Sequence, residues 1–215
     1  MEFQPLKHIY IPSDNPKATT LLLLHGTGGN ENDLIPIAKN FGAQFNILSV
    51  RGNVSEHGMP RFFKRLAVGV FDEEDLKFRT HELVHFIKTI STQEKFDISN
   101  LLALGYSNGA NIAGSTLMLY PNFLSGAILF RPMIPFSRVP VFKTSKKTPV
   151  FISSGNYDTM VTTSEIELYK DLLVSNHFDV TLHHLKTGHN LTDTDINLAM
   201  QWTSENYARF QGVIY

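Results

Sequence analysis

The chain has 215 residues, 42% of them hydrophobic and 18% charged, the proportions of a globular protein and not of a disordered or fibrous one. Its 19 basic and 20 acidic residues leave a formal charge of −1, so no global field favours nucleic acid or an anionic membrane surface. Without cysteine there is no disulfide, thiolate metal site or thiol nucleophile, which fits a cytoplasmic setting. The first ten residues carry Glu2, Gln4, Pro5 and Lys7 and no apolar signal core, and no apolar run is long enough for membrane insertion. No repeat, low-complexity tract or linker divides the chain, so residues 1–215 are expected to form one domain.

In chain order, residues 9–11 suit an edge strand, ended by Pro12 and a turn over residues 13–16. Residues 19–24 are two threonines and four leucines with no polar alternation, the pattern of a strand covered on both faces. They run into the glycine-dense loop His25-Gly26-Thr27-Gly28-Gly29-Asn30. Asn32 or Asp33 is placed to cap a helix whose inward stripe is Leu34, Ile37, Ala38 and Phe41, with Pro36 in its first turn and Gly42 closing it. Residues 46–50 read as the second main strand, and residues 51–71 as an irregular segment. Over residues 74–91, Leu76, Leu83, Val84, Phe86, Ile87 and Ile90 follow helical spacing.

The next apolar run, residues 100–104, breaks at Gly105, exposes Ser107, breaks again at Gly109 and resumes with Ala110, Ala113, Gly114 and Leu117. Those four fall at i, i+3, i+4 and i+7, a helix face stripped of bulk that can lie close over a sheet. Pro121 stops it. Strands are expected over 125–130, 149–153 and 179–185. Ser164 is placed to cap a helix to about residue 175, and Thr192 opens a terminal helix ending near Tyr207. Strands alternating with helices predict a doubly wound, mostly parallel sheet, with its site beyond the carboxyl ends of the strands.

Between the third strong strand and its helix, Gly105-Tyr106-Ser107-Asn108-Gly109 has the G-x-S-x-G form of a nucleophile elbow. A serine on so sharp a turn projects its Oγ above the sheet, and side chains two residues away would collide with neighbouring backbone. A serine that merely caps the helix is the competing reading. A serine nucleophile needs a base, and the base needs a group to fix its tautomer. Of nine histidines, His81 and His85 share a helix face, His183 and His184 sit within a strand, and His8, His57 and His177 lie in edge, loop and helix-end settings. His189 alone follows the final strand. Asp158 is the one carboxylate in the loop after residues 149–153, whereas Asp193 and Asp195 suit the dipole of the last helix. The order Ser107, Asp158, His189 is that of elbow hydrolases. For an oxyanion, Asn108 opens the helix with a free N–H, and the glycine loop offers a second from Thr27, with Gly28 in reserve. His25 is expected to order that loop by hydrogen bonds. The glycines lack the lysine of a phosphate loop.

The loop from His25 to Asp33, the stretch from Gly105 to Ala113, the loop from Gly155 to Asp158 and Gly188-His189-Asn190 together resemble the phospholipase/carboxylesterase family of α/β-hydrolases. Arg51-Gly52, Glu56, Gly58 and Arg61-Phe62-Phe63 are similar to its bacterial branch linked to hydroquinone resistance. The resemblance implies the α/β-hydrolase fold, a triad of Ser107, Asp158 and His189, and an oxyanion hole of the Thr27 and Asn108 N–H groups. The related acyl-protein thioesterases usually carry glutamine after the serine, where this chain has Asn108.

Only residues 131–148 separate two successive strands, too few for a lid domain. Met133, Ile134 and Phe136 within them, Met59, Phe62 and Phe63 in the segment before the long helix, and Met160 beside the acid are candidate pocket walls. Arg51, Arg61 and Arg65 either hold an acidic group or form surface ion pairs. The expectation is a serine hydrolase of small or aromatic carboxylic esters, working through an acyl-enzyme without metal or cofactor, its partner a small-molecule ester. A thioesterase or lysophospholipase on the same triad, and a non-catalytic binder on the same fold, are the alternatives. The oligomeric state stays open, a homodimer among the options.

Overall fold

The computed structural model describes residues 2–15 and 17–207. In chain order its elements begin with β1 (His8–Ile11), β2 (Thr20–Leu24), α1 (Ile35–Lys39), β3 (Asn46–Val50), β4 (Val54–Glu56), β5 (Met59–Arg61), β6 (Arg65–Ala67), β7 (Val70–Phe71) and α2 (Glu73–Glu94). They continue with β8 (Leu101–Tyr106), α3 (Asn108–Leu119), β9 (Gly126–Phe130), β10 (Pro149–Gly155), α4 (Thr163–Ser175), β11 (Asp179–Leu185) and α5 (Asp193–Tyr207). The central sheet has seven strands in the order β1-β3-β2-β8-β9-β10-β11, all parallel except the edge strand β1, which pairs antiparallel with β3. This is the α/β-hydrolase fold, a doubly wound and mostly parallel sheet.

The four leucines of β2 show why the run needs no polar alternation. Leu22 and Leu24 join one core cluster, with Leu76, Ile87, Ala113 and Ile166 from α2, α3 and α4. Leu21 and Leu23 join the other, with Ala38, Ala199 and Trp202 from α1 and α5. Successive side chains of a strand face opposite ways, so a sheet covered on both sides favours apolar residues on both faces.

Several local expectations are corrected. Residue 34, not Asn32 or Asp33, stands at the N-cap of α1, and no side chain caps it. The Asp33 carboxylate turns back instead to accept from the Asn30 N–H at 3.1 Å, where it helps close the glycine loop. Helix α4 starts from Thr162 rather than Ser164: Thr162 and Glu165 form a reciprocal capping box, which satisfies two backbone donors where a lone serine would satisfy one. Helix α2 is capped by Asp72 and runs to Glu94. Pro16 of the expected first turn lies outside the described residues.

The largest departure is over residues 51–71, which are two small antiparallel ribbons, β4–β5 and β6–β7. The first turns through His57 (φ 50°) and Gly58 (φ 81°), two residues with positive φ that match a hairpin's twist. Both ribbons sit at the carboxyl end of the sheet, beside the glycine loop.

Candidate active site

The turn between β8 and α3 is tight enough to exclude a Cβ two residues to either side of the serine. A Cβ on Gly105 would lie 2.6 Å from Gly109 O, and a Cβ on Gly109 would lie 1.9 Å from Leu24 O. Between them Ser107 has φ 52° and ψ −113°, a costly conformation for a residue with a side chain. Its N–H donates to Phe130 O at 2.9 Å, which ties the strained turn to the neighbouring strand. The strain aims the hydroxyl off the sheet's end.

His189, in the loop after β11, has Nε2 2.8 Å from Ser107 Oγ and Nδ1 2.8 Å from Asp158 Oδ2. The Asp158 side chain is shut off from solvent, and its other oxygen accepts from the Met160 N–H at 2.8 Å. A carboxylate can only accept, so a neutral His189 carries its hydrogen on Nδ1 and turns a bare Nε2 toward the serine hydroxyl. Tyr106 steadies the loop by donating to His189 O at 3.2 Å.

On the other side of Ser107, the N–H groups of Thr27 and Asn108 have no protein acceptor among the described residues. The Gly28 N–H does not share that freedom, because it donates to Pro60 O at 2.9 Å. Strand β5 and the residue after it grip both donors' side chains: Arg61 Nη1 donates to Thr27 Oγ1 at 2.7 Å, and the Phe62 N–H donates to Asn108 Oδ1 at 2.7 Å. His25 is buried, its Nδ1 donating to Gly26 O at 2.6 Å and its Nε2 accepting from the Gly52 N–H at 3.0 Å. Burial pushes its imidazole below the usual histidine range, against smaller opposing contributions from Gly26, Asp33 and Glu31. It is a neutral structural group.

The cleft above Ser107 is walled by Thr27, Arg61, Arg65, Gly69, Phe71, Asn111, Arg131, Met133, Met160 and His189. Met133 and Met160 thus stand where the sequence places pocket walls. Phe62 and Phe63 do not: both are buried in the core, Phe62 against the His25 ring. Met59 is 39% exposed beside Gly28. Ile134 and Phe136 line a neighbouring apolar cavity of about 440 Å³ that shares Gly69, Phe71 and Met133 with the cleft. Arg51 lies outside the cleft, paired with Glu31.

Two site residues escaped the sequence reading. Arg131, directly after β9, is fully buried and holds Asp195 through Nη1 and Nη2 at 2.7 and 2.8 Å. The same guanidinium donates to Gly188 O and Asn190 O, the carbonyls on either side of His189. Burial opposes the charge on Asp195, but hydrogen bonds from Arg131, Ser153 and Thr192 outweigh it and hold the carboxyl below its ordinary range. The other histidines serve elsewhere: His81 meets Tyr120 Oη, His184 meets Glu167, and His183 packs on Phe151. Among the described residues no group of three His, Asp or Glu side chains is placed to hold a metal, and no helix is long and apolar enough to cross a membrane.

Residues 7–206 match the Phospholipase/Carboxylesterase family, and the chain belongs to that family of hydrolytic enzymes. It is 44% identical over 202 residues to MhqD, a proposed hydrolase of Bacillus subtilis (strain 168), covering 93% of this chain and 98% of that one. Its fold matches the crystal structure of a Bacillus cereus carboxylesterase with a TM-score of 0.91 and 45% identity, over 94% of this chain and 95% of the other. A structure of YahD with malic acid matches with a TM-score of 0.87 and 28% identity, over 94% and 99% of the two chains.

Proposed function

We propose that this enzyme hydrolyses small or aromatic carboxylic esters, with Ser107 as nucleophile, His189 as general base and acid, and Asp158 orienting the imidazole. Ser107 Oγ attacks the carbonyl carbon as its proton passes to His189 Nε2. The tetrahedral oxyanion accepts from the Thr27 and Asn108 N–H groups. The bond to the alcohol then breaks and the leaving oxygen takes the proton from His189. Water attacks the acyl-enzyme, gives a proton to His189, and the carboxylic acid leaves as Ser107 regains its hydrogen. No metal or cofactor takes part in this scheme. We take residues 1–215 as one domain, because a single sheet draws strands from both ends of the chain, β1 and β11. A cytoplasmic location remains part of the proposal.

The observation that carries the proposal is the unbroken chain of two 2.8 Å contacts from Ser107 through His189 to Asp158, strands apart in sequence. Its test is direct. A fluorophosphonate probe should label Ser107 stoichiometrically, and Ser107→Ala should stay folded while kcat on p-nitrophenyl acetate drops by about 10³-fold or more. Unchanged turnover in that variant discards Ser107 as the nucleophile, and failure of the probe to label it favours a non-catalytic binder.

A second reading, thioesterase or lysophospholipase activity on the same triad, draws support from the apolar cavity beyond Met133, bordered by Ile134, Phe136, Val139 and Val161. Matched oxyester, thioester and lysolipid substrates separate the two.

A further inference from the structure

Two guanidinium groups, Arg61 and Arg65, stand in the wall of the Ser107 cleft, and a single carboxylate faces both. Glu56 Oε1 accepts from Arg65 Nε at 2.9 Å, and Glu56 Oε2 lies 3.4 Å from Arg61 Nη1. No other acid makes up the difference. Asp158 is engaged by His189 and the Met160 N–H, and Asp195 is matched by Arg131. Two arginines less one glutamate leave this wall of the cleft one positive charge in excess, while the Asp158 charge lies behind the neutral His189 ring.

Donors are also left over. The Arg61 side chain is only 4% exposed. Its Nε donates to Phe63 O and its Nη1 to Thr27 Oγ1, while Nη2 has no protein acceptor among the described residues. Arg65 uses only Nε, so both of its terminal nitrogens are unengaged there. None of these nitrogens is sealed from solvent, so water meets them until a ligand displaces it. Burial already pushes Arg61 below the ordinary arginine range, with repulsion from Arg65 adding and Glu56 opposing. The acids of the neighbouring cavity limit where an anion can lie. Glu73 accepts from the Ser137 N–H and Glu165 belongs to the α4 cap, so that end of the space is apolar with acidic edges.

We propose that Arg61 and Arg65 form a carboxylate subsite, so that the preferred substrates are anionic esters carrying a free carboxylate on the alcohol or the acyl part. The carboxylate accepts from the in-plane N–H groups of the two guanidiniums, while the ester carbonyl faces Ser107. Planar, forked N–H donors suit a carboxylate better than any neutral group of the same shape. This rests on the serine-esterase mechanism above. Arg65 is the specificity-determining position of the pair, because Arg61 also braces Thr27 and its loss would disturb every substrate.

The test compares 4-acetoxybenzoate with neutral 4-acetoxybenzamide, and monomethyl glutarate with methyl pentanoate, using the intact protein. The anion should be favoured in kcat/KM by about tenfold or more in at least one pair. That preference should shrink in about 0.5 M NaCl, where the screening length is only a few Å. Arg65→Gln should bring the ratio toward one, and Arg65→Lys should keep part of it. Equal rates within both pairs, with the neutral esters cleaved normally and Ser107 labelled by the fluorophosphonate, overturn the subsite and leave the esterase mechanism standing. A preference that survives Arg65→Gln unchanged also overturns it. If none of the four esters is cleaved and Ser107 fails to label, the mechanism beneath the subsite falls with it. The wild-type ratio and its salt dependence decide the matter even if the variants do not fold.

Discussion

Two arginine–carboxylate assemblies flank Ser107, and they are built in opposite ways. Arg131 and Asp195 are both wholly buried, equal in charge, joined at two points and bonded to further polar groups on every side. Arg61, Arg65 and Glu56 are unequal in charge, joined at single points and partly open to the cleft. A buried pair stabilises only when its geometry and its remaining hydrogen bonds offset desolvation, and the first assembly meets that condition. Its outward donors go to the carbonyls beside His189, so it moors the loop that carries that histidine. The second leaves donors unfilled beside the cleft, the arrangement of a place where something arrives and departs. A closed, matched pair sets geometry, whereas an open, unmatched one sets selectivity.

The sharpest way to break this contrast is Arg131→Met, which strands the Asp195 carboxylate in the core. It should lower unfolding stability by about 3–5 kcal/mol, measured as a shift in the urea midpoint at constant slope. Adding Asp195→Leu should recover most of that stability but not the turnover, because Gly188 O and Asn190 O still lose their donor. The same carboxylate sets an acid limit. Its folded pKa lies below the unfolded value, so its stabilisation is present above about pH 4 and is lost as pH falls through the folded value.

A smaller effect is expected on the hairpin side. Thr27→Val keeps the shape but removes the acceptor of Arg61 Nη1, and it should lower kcat on a neutral ester by about tenfold with little change in KM. A rise in KM at constant kcat would mean that the contact binds substrate instead of positioning the proposed oxyanion donor. The smallest effect belongs to His25. Burial holds its folded pKa down, so the folded state binds fewer protons than the unfolded one, and stability should fall as pH drops below about 6.5. Urea midpoints measured at about pH 7.5 and 5.5 should converge in His25→Gln, whose side chain does not titrate.

How far each part of the molecule could be read in advance follows from how local its cause is. The buried strands were legible because a strand covered on both faces favours runs without polar alternation, as in the leucines of β2 and residues 101–104 of β8. The elbow was legible because the crowding that requires Gly105 and Gly109 arises within one turn. Asp158 and His189 stood out because each follows a strand at the sheet's carboxyl end, where the topology gathers its loops. The ribbon β4–β5 was missed, although Gly58 after His57 was a usable signal for a two-residue turn. Phe62 and Phe63 were misplaced as pocket walls because an aromatic residue carries the same pattern in a wall and in a core.

Patterning along the chain was enough to settle the succession of strands and helices, the direction of the sheet and the sharp turn that lifts Ser107. Those features depend on residues a few positions apart, where sterics and periodicity act directly. The pairing of charges was decided only by folding. Arg131 meets Asp195 across 64 positions and Arg51 meets Glu31 across 20, and in sequence a buried arginine is indistinguishable from a solvated one. Whether such a charge is matched or left in excess depends on which partners the packed sheet brings within Coulombic reach, and that is a property of three-dimensional distance.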